Sequence, residues 1–290
     1  MSTSIANQLA AAPISWGVCE AADWGVQLSP EQVLGDMREL GIKATEFGPL
    51  GFLPTEPSAR AAHLEGYGMK AVGGFLPVVL HDQAVDPLPL VEAELKAFSA
   101  AGASVLVLAA DAGTGDYEAH HEMDEDQWVV FGRNLQAVVD LAAKAGILAV
   151  LHPHVGTMVE SAASVQRLLE STAAQICLDT GHLLVGGTNP LDLVRQHASR
   201  VGIAHLKDVR SEIAAKVASG ELGFVQAVKD GMFVPLGQGD CEIGQIVGLL
   251  TEAGYKGWYV MEQDAVLEAA ADGAAAKTDV RTSIDFLLGL

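Results

Sequence analysis

The sequence predicts an α/β fold, a single closed barrel of eight parallel strands with a helix after each, and three observations carry that reading. A phrase recurs along the chain: an amphipathic stretch, a glycine, then a short apolar run. It occurs at Glu39-Leu40-Gly41, Gly66-Tyr67-Gly68, Ala100-Ala101-Gly102, Lys144-Ala145-Gly146 and Glu252-Ala253-Gly254. Glycine ends a helix in the left-handed conformation without Cβ strain, so each copy marks a helix giving way to a strand. The apolar runs are short and nearly continuous, as parallel strands buried on both faces require. Finally, 290 residues is long for one ordinary domain but normal for one barrel of this kind.

Taken in order, the strands fall near 12–15, 43–46, 70–74, 104–109, 148–152, 175–179, 201–205 and 258–262. Eight such units point to closure. An open doubly wound sheet is weakened by the absence of a Gly-x-Gly-x-x-Gly turn after the first strand. No Pro- or Ser-rich linker divides the chain, so residues 1–290 are expected to form one domain. Two connections are long: Asp111 to Trp128 after the fourth strand, and Val209 to Pro235 after the seventh, the latter with a helix-like stretch over 211–228. Both leave C-terminal strand ends, where barrel sites are built, which makes 209–235 a lid candidate.

Composition narrows the function classes. A net charge of −20 repels phosphate backbones and argues against a nucleic-acid partner. Residues 1–12 lack the basic start and apolar run of a secretion signal, and no stretch is long enough to span a membrane. A cytoplasmic protein without a membrane partner is expected, and homo-oligomer formation stays open. Cys19, Cys177 and Cys241 are odd in number, far apart and free of any Cys-x-x-Cys pair. They read as small buried apolar residues in a reducing compartment.

Barrel strands should end apolar, yet these end in chemistry. The second ends in Glu46, the fifth in His152-Pro153-His154, the sixth in Asp179-Thr180-Gly181-His182, the seventh in His205-Leu206-Lys207-Asp208 and the eighth in Glu262-Gln263-Asp264. Each has a bland alternative: Asp179 as a turn cap, His205 as a core histidine, Glu262 as a partner of Lys207. Four successive strands ending in ligand-type residues are not explained by four independent accidents. Imidazoles mixed with carboxylates suit one divalent ion, Mn²⁺ or Co²⁺ first, with Zn²⁺ and Fe²⁺ as alternatives, over oxygen-preferring Ca²⁺ or Mg²⁺. His63, His81, His120, His121 and His197 fall in helices or loops and read as ordinary histidines. Gly237-Gln238-Gly239 resembles a phosphate-cradling loop, a weak signal at that length.

The phrases Asp179-Thr180-Gly181-His182, Ala204-His205-Leu206-Lys207-Asp208-Val209 and Gly257-Trp258 through Glu262 resemble the xylose-isomerase-like TIM-barrel superfamily of sugar isomerases, epimerases and dehydratases. Within it, Ala12 to Glu20, Thr45 to Pro54, His152 to Thr157 and Pro235 to Asp240 are most similar to the inosose dehydratases of myo-inositol catabolism. The resemblance runs from about residue 11 to residue 264. It implies a Glu, Asp, His, Glu metal set, of which Asp179, His205 and Glu262 match the last three. His152 stands where the first Glu is common, so His152, His154 or Glu160 could supply that ligand. It also implies substrate contacts from His182 and Lys207, with Trp16 and Glu46 lining the pocket. The expected partner is a small polyol-derived ketone. The expected reaction is metal-dependent dehydration of 2-keto-myo-inositol to a cyclohexane dione through a metal-stabilised enolate. His182, His154 or Glu46 would serve as base, and Lys207 or a histidine as acid. The same set suits a ketose 3-epimerase or hydroxypyruvate-type isomerase acting through an enediolate.

Overall fold

The computed structural model describes residues 5–21, 24–114 and 118–290. Its strands are β1 Leu9–Ala11, β2 Ala44–Thr45, β3 Lys70–Ala71, β4 Gly73–Val78, β5 Val105–Ala110, β6 Leu148–His152, β7 Gln175–Asp179, β8 Val201–Leu206, β9 Asp208–Val209, β10 Phe233–Val234 and β11 Tyr259–Met261. Nine of them form one parallel sheet in the order β3-β2-β1-β11-β8-β7-β6-β5-β4. β3 and β4 are two lengths of one barrel strand parted at Val72. The Val72 N–H donates to Thr45 O at 2.9 Å on one side, and its carbonyl accepts from Ser104 and Val105 on the other. Through that residue the sheet closes with eight strand positions, and β9 and β10 pair antiparallel outside it.

The helices are α1 Pro30–Glu39, α2 Pro57–Gly66, α3 Leu88–Ala101, α4 Glu125–Lys144, α5 Ala162–Ser171, α6 Thr180–Val185, α7 Pro190–His197, α8 Ser211–Ala218, α9 Phe224–Lys229, α10 Ile243–Glu252 and α11 Gly273–Leu288. Gly41, Gly68, Gly102, Gly146 and Gly254 all have positive φ, between 68° and 83°. The recurring glycine is therefore the conformational stop that the sequence suggested.

Two boundaries differ from expectation. The first strand is Leu9–Ala11 rather than 12–15, because Pro13 has no N–H for the ladder and opens a 3₁₀ turn, Pro13–Trp16. The stretch 211–228 is two helices, α8 and α9, parted around Gly220 at φ +74°.

Strand parity sorts the core into two layers. Ala10, Ala12, Ala44, Val72, Val105, Val107, Val150, Cys177, Ile203 and Val260 form a compact cluster inside the barrel. Their chain neighbours, such as Leu106, Leu108, Leu151 and Leu178, are fully buried in the larger layer between strands and helices. Each such leucine contributes about 1.5–3 kcal/mol by leaving water. The inner cluster fixes the floor of the site, because side chains two residues further along the same strands point the same way.

Candidate active site and metal centre

From Ala44, Val150, Cys177, Ile203 and Val260 in the floor, one step of two residues gives Glu46, His152, Asp179, His205 and Glu262. A second step from three of these gives His154, Lys207 and Asp264. The register agrees: Asp179 lies beside His205 across β7 and β8, and His205 beside Val260 across β8 and β11. These side chains are nearly all withdrawn from solvent, with Asp179 at 0 %, His152 at 1 % and Lys207 at 3 % exposure.

The contacts form one network. His205 places Nε2 2.9 Å from Glu46 and Nδ1 3.3 Å from Glu262, with Asp179 at 3.9 Å. His152 Nε2 lies 3.2 Å from Asp179 Oδ2. The Lys207 ammonium reaches Asp264 at 2.8 Å, Glu262 at 3.2 Å and Asp179 at 3.4 Å, and meets His182 Nε2 at 3.0 Å. Asp179 also caps α6, its Oδ1 accepting from the Gly181 and His182 N–H groups. Its capping role and its site role are thus held together, one oxygen each.

Burial and neighbours sort the protons. Burial opposes charge on Lys207, but Asp179, Asp264 and Glu262 outweigh it and hold the ammonium well above the ordinary lysine value. Burial, with the nearby imidazole of His152 and the cation of Lys207, pushes His154 down to about 3. His182 is likewise held well below its usual value, by burial, His154 and Lys207. Burial would also lower His152, yet Cys177 and Asp179 beside it carry it up to about 9. Asp264 is raised to about 6, chiefly by burial.

Above this network opens a cavity of about 410 Å³. Its polar end comprises Glu46, His152, His154, His205, Lys207, Glu262 and Asp264, and its walls include Trp24, Phe47, Phe75 and Phe224. Asp179 and His182 stand behind that surface, in contact with the residues that form it. Trp16, expected at the pocket, is fully buried in the core and absent from the cavity wall. Trp24 lines it instead, its indole N–H bonded to Ala265 O at 2.9 Å. Glu160 is turned to the Gly156 N–H and to His120 rather than to the strand-end cluster.

Glu46, His205 and Glu262 bring their donor atoms within 4.8 Å of one another. One imidazole and two carboxylates, all buried, fit a divalent ion with mixed N/O ligation. Geometry thus brings Glu46 to His205 and Glu262, while His152, named from the sequence for the first ligand, lies beside Asp179 and His205.

The long connections meet over the cavity. Glu118 accepts from the Phe224 and Val225 N–H groups at the start of α9, and Phe224 stacks on His182 with ring centres 5.7 Å apart. Asp208 explains the Gly237-Gln238-Gly239 phrase: its carboxylate accepts from Val209, Gly237, Gly239 and Cys241. The loop that resembled a phosphate cradle holds an anion of its own chain.

A family model described as xylose isomerase-like TIM barrel matches residues 34–288. The chain belongs to this family. An inosose dehydratase of Geobacillus kaustophilus (strain HTA426) is 32% identical over 271 residues, 87% of this chain and 86% of that one. The rhizopine catabolism protein MocC of Rhizobium meliloti is 30% identical over 89% of this chain and 81% of its own. Among solved structures, the IolI protein with a bound zinc atom superposes with a TM-score of 0.73 at 13% identity, covering 97% of this chain and 98% of its own. A D-psicose 3-epimerase from Clostridium cellulolyticum H10, with D-tagatose, gives 0.70 at 16%, covering 96% and 97%. At such identities the structures speak for the fold. This xylose isomerase-like chain is an enzyme of the same broad kind as its dehydratase relatives. No helix among its described residues is long and apolar enough to cross a membrane.

Proposed function

We propose that this protein is a metal-dependent hydro-lyase that removes water from a cyclic polyol ketone, 2-keto-myo-inositol, to give a cyclohexane dione. The observation that carries the reading is the cavity floor, where the Glu46, His205 and Glu262 donors adjoin a caged ammonium, Lys207, and an imidazole held neutral, His154. The inosose dehydratase relatives supply the substrate class.

Glu46, His205 and Glu262 would hold the ion, Mn²⁺ or Co²⁺ in our reading, with Asp179 beside them. Such an ion, when bound, stabilises negative charge developing on a substrate oxygen. Glu46, which lines the cavity beside His205, or His154 can take the proton next to the ketone. As that C–H bond breaks, the carbon–carbon double bond forms and the neighbouring C–O bond breaks, and the resulting enol becomes the dione as its hydroxyl gives up a proton and the ring carbon takes one. The departing hydroxide takes its proton from the Lys207–Asp264 pair and leaves as water. His182, packed on His154 at 3.7 Å between ring centres and bonded to Lys207, orients both partners. Each positioned acid or base contributes about 10²–10⁴-fold.

The test is to strip the metal, supply 2-keto-myo-inositol, restore Mn²⁺ or Co²⁺ and follow dione absorbance. Metal-dependent dione, lost in His205→Ala and Glu262→Gln, supports the proposal. Absence of dione, with solvent deuterium entering ketoses, would replace it with an isomerase or 3-epimerase. Glu46 and Glu262, on either side of His205 at 2.9 and 3.3 Å, would then be the paired bases.

A further inference from the structure

Beneath the mouth lies a second donor group that shares His205 with the first and adds two side chains, His152 and Cys177, that the chemistry above leaves unused. Cys177 is fully buried in the inner barrel, two residues before Asp179. Its sulfur, a ring nitrogen of His152 and a ring nitrogen of His205 all fall within 4.8 Å of one another. His152 supplies the independent sign. Its Nε2 faces the Asp179 carboxylate at 3.2 Å, an acceptor-only group, so that nitrogen carries a proton. Its Nδ1 is buried with no oxygen or nitrogen partner among the described residues, the ring bonding only weakly to the Cys177 sulfur and being 1 % exposed. A carboxylate behind an imidazole whose other nitrogen faces a soft donor is how proteins orient a histidine ligand.

We propose that His152 Nδ1, Cys177 Sγ and His205 form a second, thiophilic metal site in the barrel floor, selective for Zn²⁺-like ions over Mn²⁺. Thiolate and imidazole favour the softer ion, whereas the Glu46, His205 and Glu262 group is oxygen-rich. Zn–S and Zn–N bonds of about 2.3 and 2.0–2.1 Å at tetrahedral angles set donors about 3.3–3.6 Å apart, so the group closes on an ion when its side chains draw in by up to about 1 Å. Binding releases the Cys177 thiol proton and any Nδ1 proton to solvent, with no change of oxidation state. His152 and His205 line the cavity, which gives the ion a route in. Both donor groups need His205, so filling the floor draws it from the mouth. An excess of thiophilic metal then silences the enzyme, a consequence that rests on the metal reading of the mouth.

The experiment titrates metal-stripped protein with Co²⁺ in the absence of substrate, so that it stands apart from any question of turnover. The wild type should develop a thiolate-to-cobalt charge-transfer band in the near ultraviolet. Glu46→Gln should keep it. Cys177→Ser should lose it, and Cys177→Val does the same where serine disturbs the fold, with Zn²⁺ affinity reduced ~100-fold. Cobalt absorbing in the visible without the thiolate band in wild type overturns the site. So does a band that survives both Cys177 substitutions, or one that disappears with Glu46→Gln, which would mean a single merged centre.

Discussion

Asp179 serves two structures at once, and its two oxygens allow them to be separated. Oδ1 caps α6, while Oδ2 faces His152 and Lys207. Asp179→Asn keeps an oxygen for the cap but removes the charge, leaving a buried cation with one partner fewer, a loss of about 3 kcal/mol or more. Asp179→Ala should cost about 1 kcal/mol beyond that, the usual worth of an N-cap. Denaturant unfolding of the two variants measures the difference; equal stabilities would remove the cap from the account. This doubled role bears on how far the residues were legible. Asp179, His205 and Glu262 stood out because a charged group at a buried strand end demands a reason. Asp264 did not, although it shares the inward parity of Glu262 exactly as Lys207 shares that of His205. Continuing the two-residue period past the strand end would have found it. Trp16 and Trp24 lie in one polar-poor stretch with no periodicity, and only the path of the chain after Pro13 decides which indole reaches the cavity.

At the scale of elements, the segment after β8 is held by carboxylates, the buried Asp208 and the exposed Glu118, rather than by apolar packing alone. Four backbone N–H groups converge on Asp208, between 2.8 and 3.1 Å. Asp208→Ala leaves them unpaired in a site 1 % exposed. At about 1–3 kcal/mol for an unsatisfied buried group, the loss should be at least about 3 kcal/mol in unfolding free energy. Gly239→Ala should act in the same direction, since its Cβ would fall 2.5 Å from Asp208 Oδ1. Glu118→Gln tests the other anchor. Its carboxylate binds the start of α9, which carries Phe224 into the cavity wall. The expected outcome is a raised KM with an unfolding midpoint close to wild type; a large fall in stability with KM unchanged would make Glu118 a structural strut only. Here the sequence was less informative. Helix stops were readable from glycine because their cause is local. The break between α8 and α9 and the anion inside the Gly237–Gly239 loop depend on contacts between segments far apart in sequence, which periodicity does not encode.

For the whole molecule, the site sets how stability responds to pH when no metal is bound. An ordinary histidine titrates near 6.5. His154, at about 3, and His182, held well below its usual value, stay neutral in the native protein while the unfolded chain protonates both. The unfolded state then binds more protons below pH 6.5, so stability falls as pH drops, by about 1.4 kcal/mol per unit for each histidine. Asp264, raised to about 6, opposes one of them between about pH 4 and 6, leaving a net slope of about one proton. On the alkaline side the sign reverses. His152, carried up to about 9, and His205, also raised, keep protons that the unfolded chain has lost above 6.5. Their contribution is complete below 6.5 and disappears as pH climbs through the native values. Metal-free protein should therefore be most stable near pH 6.5, with a lower unfolding temperature on either side. On the proposed reading, an ion among Glu46, His205 and Glu262 would replace the His205 proton as the source of positive charge. Saturating Mn²⁺ should flatten the alkaline limb and raise the unfolding temperature with metal concentration, as any ligand of the native state does. Thermal unfolding between pH 5 and 9, with and without metal, reads this directly. An alkaline limb unchanged by metal would mean that His205 is not a ligand, and the mouth of the barrel would need another account of its buried charges.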